Sequence, residues 1–87
     1  MKISYTENAK SDIAYWKETN NQKIQARIKS LVKSIEDTPF YGIGKPEPLK
    51  HDLAGCWSRR INREHRITYK VENERIIILS ARHHYPV

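Results

Sequence analysis

The chain has 87 residues and carries 16 Lys plus Arg against 10 Asp plus Glu, a formal net charge of 16 − 10 = +6. That length fits one domain, taken as residues 1–87, and excludes a multidomain enzyme with its own cofactor domain. Hydrophobic residues at 38% are too many for a disordered chain, and no apolar run approaches the ~18 residues that would cross a membrane.

No apolar signal core follows Met1, and the lone Cys56 forms no internal disulfide, so a reducing, cytoplasmic setting is expected. A sequence pI near 9.6 points to an acidic partner such as nucleic acid. Residues 41–87 hold 9 basic and 5 acidic side chains and all four histidines, so the chemistry is expected there.

Residues 2–5 alternate polar and apolar and predict a short strand. Thr6 is placed to cap a helix, with Glu7 at its positive end. Ala9, Ile13 and Trp16 repeat at spacings of 4 and 3, which makes that helix amphipathic. Thr19-Asn20-Asn21 breaks it and offers the next cap. Ile24, Ile28, Leu31, Val32 and Ile35 then mark a second amphipathic helix over about 22–36, stopped before Pro39. Residues 38–48 contain three of the four prolines and predict a loop, with Glu47 held between Pro46 and Pro48. Strands are predicted from Trp57 to Ile61, from His65 to Val71 and from Arg75 to Arg82, with a hairpin turn at Glu72-Asn73-Glu74. The layout is α+β: an N-terminal strand and a two-helix hairpin packed on a twisted antiparallel sheet.

No glycine-rich phosphate loop is present, since Gly42-Ile43-Gly44-Lys45 lacks the remaining spacing. One Cys and four His without a paired ligand pattern predict no metal site. Cys56 precedes Trp57 and reads as a small packing residue rather than a nucleophile. What remains is a carboxylate on a stiff loop, arginines on strands, and His83-His84-Tyr85. That set is sufficient for RNA cleavage without metal. A carboxylate takes the 2′-hydroxyl proton, an imidazolium protonates the leaving 5′-oxygen, and guanidinium groups clamp the phosphate. Each residue also has a plainer reading: Glu47 as a solvated carboxylate, His84 as a surface residue, Tyr85 as a plug at the core edge. Arg59, Arg60, Arg63 and Arg66 would then pair with Glu64, Glu72 and Glu74 across the sheet.

The stretches Gly44-Lys-Pro-Glu-Pro-Leu-Lys-His51, Trp57-Ser-Arg-Arg-Ile61, Glu64-His-Arg66 and Arg82-His-His-Tyr85 together resemble the Txe/YoeB toxins of the RelE/ParE superfamily. Tyr15-Trp16 with Glu18-Thr19 extends the resemblance over essentially the whole chain. It implies a fold similar to RelE and the small microbial ribonucleases, and the toxin role of a type II toxin–antitoxin system. The implied activity is ribosome-dependent endoribonuclease action: mRNA cut in the ribosomal A site, with 2′-oxygen attack and a cyclic phosphate product. By motif position it implies Glu47 as base, Arg66 as phosphate-stabilising residue, His84 as acid and Tyr85 as the terminal active-site tyrosine. Lys50, Arg59 and Arg60 are the implied RNA-binding residues. The implied partners are a YefM-type antitoxin, the 70S ribosome with its mRNA, and a second copy in a homodimer; no membrane and no cofactor are expected. The alternative is a ParE-like toxin that inhibits DNA gyrase without cutting RNA. Two departures from the family pattern are Cys56, where a Phe is usual, and the continuation Pro86-Val87 past the His-Tyr pair.

Overall fold

A computed structural model of the chain describes residues 1–83. The elements run β1 (Lys2–Tyr5), α1 (Glu7–Glu18), α2 (Gln22–Asp37), β2 (Glu47–Pro48), a 3-10 turn over His51–Leu53, β3 (Cys56–Arg60), β4 (Arg66–Glu72) and β5 (Arg75–Ser80).

Both helix starts follow from local chemistry. The Thr6 hydroxyl accepts from the Ala9 amide at 3.1 Å and donates to the Leu79 carbonyl at 3.0 Å, so one side chain caps α1 and ties it to β5. Asn21 accepts from the Ile24 amide at 3.1 Å and caps α2. The expected stripe of α2 is the one that is buried: Ile24, Ile28, Leu31 and Ile35 face the sheet, with Leu31 and Ile35 fully inaccessible. Across from them lie Ile67, Tyr69, Ile76 and Ile78, closed by Ala9 and Trp16 of α1. Both helices therefore cover one face of the sheet, and the other face is left for the site.

The sheet order is β1-β5-β4-β3-β2. Its β3 to β5 portion is the expected antiparallel meander, but β1 docks parallel to β5, Lys2 against Arg75 through Tyr5 against Ile78. The sheet is thus mixed. Alternation identifies a strand but carries no information on its direction or the edge it joins. A second difference concerns Glu47, expected in a loop and found in a two-residue edge strand opposite Ser58. The prolines beside it lack an N–H, which suits an edge whose outer side pairs with nothing in the sheet. The predicted hairpin turn is present, with Asn73 and Glu74 both left-handed at φ 53° and 58°. Among the described residues no helix is long and apolar enough to cross a membrane.

Candidate active site

Strand register builds the candidate site. Glu47 lies opposite Ser58, and Ser58 opposite Thr68, one row across three strands. Directly opposed residues share a face, so this row lies on the side away from the helices. Two residues along from Ser58 and Thr68, Arg60 and Arg66 oppose each other on that same face. Strand spacing puts the Glu47 and Arg60 backbones about 8 Å apart, within combined side-chain reach of one nucleotide linkage.

Two like charges directly opposed destabilise a sheet unless something negative meets them. Arg66 is partly relieved by the chain itself. Its Nη1 donates to the carbonyls of Asn62 at 2.9 Å, His65 at 3.1 Å and Arg63 at 3.3 Å. That β3–β4 connection is stiff, because Asn62 Oδ1 accepts from both Glu64 and His65 amides at 2.9 and 2.8 Å. Arg60 is exposed, and its amide donates to the Gly44 carbonyl at 2.7 Å, which holds the approach to β2 against β3. Glu47 is exposed, and Lys50 is exposed three residues on, at the entry to the 3-10 turn.

Arg59 requires a correction. Expected to bind RNA, it is fully buried on the helix side of β3. Its five N–H protons meet five acceptors. Nε donates to Tyr69 Oη at 3.1 Å. Nη1 donates to Ser34 Oγ at 2.7 Å and to the Ile43 carbonyl at 3.1 Å, and Nη2 to the carbonyls of Thr38 at 2.6 Å and Tyr41 at 3.0 Å. Tyr69 in turn donates to the Pro39 carbonyl at 2.6 Å. Burial raises the Tyr69 phenol above its ordinary value of about 10, against the opposing pull of the Arg59 guanidinium. Arg59 thus ties the segment after α2 to the sheet and has no proton left for a phosphate. Alternation carried the signal: Trp57, Arg59 and Ile61 share parity, so the apolar neighbours of Arg59 mark it as inward. Nothing in the spacing, by contrast, marked Ser34 and the 38–43 carbonyls as its partners.

His84 and Tyr85 lie outside the described residues. The chain leading to them is well held: the Arg66 amide donates to the His83 carbonyl at 2.7 Å. Among the described residues no group of three or more His, Cys, Asp or Glu side chains is arranged to hold a metal.

Comparison with known proteins agrees with this fold. Residues 5–85 match the family model described as "YoeB-like toxin of bacterial type II toxin-antitoxin system". The chain is 47% identical over 85 residues to the toxin YoeB of Escherichia coli K12, covering 98% of this chain and 100% of that one. Among solved structures, a YoeB/ParE toxin from Agrobacterium tumefaciens superposes with a TM-score of 0.93 at 41% identity, covering 98% of this chain and 100% of that one. The Staphylococcus aureus YoeB is similar both in its YoeB–YefM complex, TM-score 0.85 at 43% identity, and as a YoeB dimer, TM-score 0.86 at 42%. Each covers 98% of both chains.

Proposed function

Because the chain belongs to the family of YoeB-like toxins of bacterial type II toxin–antitoxin systems, we propose that it is an endoribonuclease that cuts mRNA in the A site of a translating ribosome. The observation that carries this reading is the register that sets Glu47, Arg60 and Arg66 on one helix-free face. Glu47 takes the proton from a ribose 2′-hydroxyl, and the 2′-oxygen attacks the adjacent phosphorus. Arg66 and Arg60 neutralise the charge that builds on the non-bridging oxygens, and Lys50 holds a flanking phosphate. His84 gives a proton to the departing 5′-oxygen, and Tyr85 completes the site beside it. The products are a 2′,3′-cyclic phosphate and a 5′-hydroxyl, so the proton taken at the 2′-oxygen is balanced by the one delivered at the 5′-oxygen. Side-chain acid–base chemistry accounts for every step without a cofactor.

The partners follow from the same reading. An acidic YefM-type antitoxin suits a +6 surface, and the S. aureus relative is solved with YefM. The solved dimer of that relative supports a homodimer here. Action on ribosomes places the protein in the cytoplasm.

The test is primer extension on a defined mRNA, with and without ribosomes stalled at a known codon. A cut within the A-site codon that needs ribosomes is the expected result. Glu47→Gln, Arg66→Ala and His84→Gln should each slow it by about 10²–10⁴-fold with circular dichroism unchanged. No cut in either condition overturns the reading and turns attention to gyrase inhibition.

A further inference from the structure

The segment 81–83 is held by α1 and by the start of β4. The Ala81 amide donates to Asp12 Oδ2 at 2.9 Å, and its carbonyl accepts from Trp16 Nε1 at 2.8 Å. The Arg82 guanidinium lies 3.5 Å over the Tyr15 ring. His83 then turns left-handed at φ 62°, so its amide leaves the ladder direction. That amide donates to His65 Nδ1 at 2.8 Å, while its carbonyl accepts from the Arg66 amide. Two consecutive residues of β4 and its approach thus grip both main-chain groups of His83.

From this geometry we infer that His65 is a positioning residue: its imidazole clasps the His83 amide and so fixes the backbone of the residue that precedes His84. The inference deepens the ribonuclease reading and rests on it. An Nδ1 that accepts an amide proton carries none itself, which puts the proton of the neutral ring on Nε2. The Glu64 carboxylate stands 3.9 Å from Nε2. The ring itself is set edge-on to Trp16, centroids 4.8 Å apart, with the His83 ring at 5.7 Å. Packing and tautomer together leave Nδ1 facing the amide. A proton donor must sit within hydrogen-bond reach of the departing oxygen, and a displacement of about 1 Å can cost 10²-fold in rate.

The test compares His65→Phe, which keeps an aromatic ring against Trp16 but has no acceptor, with His65→Asn, whose Oδ1 restores one near Nδ1. On mRNA in stalled ribosomes, His65→Phe should lower kcat by about 10–100-fold and leave KM within about twofold, and His65→Asn should recover most of the loss. Amide exchange should rise at least about tenfold at His83 in His65→Phe while Ala81, held by Asp12, stays protected. An unchanged kcat or an unchanged His83 exchange rate in His65→Phe overturns the inference. So does an equal loss in both variants with Ala81 exposed, which would mark a general packing role. His84→Gln is measured alongside: wild-type cleavage there removes the acid assignment alone, and the clasp is then judged by His83 exchange, which does not depend on cleavage.

Discussion

At the scale of single residues, burial separates two neighbouring arginines that the sequence presents as alike. Arg60 faces solvent opposite Arg66, while Arg59 is buried beneath α2 with all five protons in use. Replacing Arg59 with Met should destabilise the fold by about 3–5 kcal/mol, because buried carbonyls and hydroxyls lose their donor. A urea titration measures it, and Arg59→Lys should recover little, since an ammonium offers three protons where five are needed. Chemistry alone singled out Glu47, Arg66 and His84 as types, and the family resemblance assigned their roles. Which of Arg59 and Arg60 faces away from the helices depends on strand parity, and that parity is readable from the apolar Trp57 and Ile61 on either side of Arg59. The role of His65 was not readable, because its partner is a main-chain amide 18 residues away.

At the scale of elements, helices were the most legible part. The α2 stripe repeats over about three turns, and its predicted extent of about 22–36 compares with Gln22–Asp37. The two-residue β2 was not legible, since a pair of residues shows no period and the flanking prolines argue for a loop. The β4–β5 hairpin turn contains an avoidable cost: Glu74 occupies the left-handed region at φ 58°, where a side chain is disfavoured. Glu74→Gly should therefore stabilise the protein by about 0.5–1 kcal/mol, once the added freedom of glycine in the unfolded chain is allowed for. Thermal denaturation would register this as a small rise in Tm. Gly44 shows the opposite case. At φ 83°, a Cβ there would come within 2.6 Å of Leu31 Cδ2, so Gly44→Ala should loosen the turn that feeds β2.

At the scale of the whole molecule, the charge balance and the topology have separate consequences. With Arg60 and Arg66 on the scissile phosphate and Lys50 on a flanking one, two phosphates are neutralised, and the logarithm of RNA affinity should fall with the logarithm of salt at a slope of about −1.4. Lys50→Gln should reduce that slope by about 0.7, whatever the sequence of the RNA. Fluorescence titrations at several ionic strengths would check both values. The parallel docking of β1 on β5 has a kinetic meaning. Lys2 pairs with Arg75, so the contact closes a loop of 75 − 2 = 73 residues. Ordering such a loop costs about 4 kcal/mol in chain entropy, whereas the β4–β5 hairpin closes across two residues. The hairpin is thus the natural nucleus, and β1 is the natural last arrival. Ile3→Val should accordingly speed unfolding and leave the refolding rate nearly untouched, a φ-value near zero, while Ile76→Val should slow refolding. A chain whose final step joins its two distant ends also makes a clear demand on a circular permutant. Linking those ends and opening the chain elsewhere would turn that late contact into a local one, so the permutant should form it early and the φ-value at Ile3 should rise.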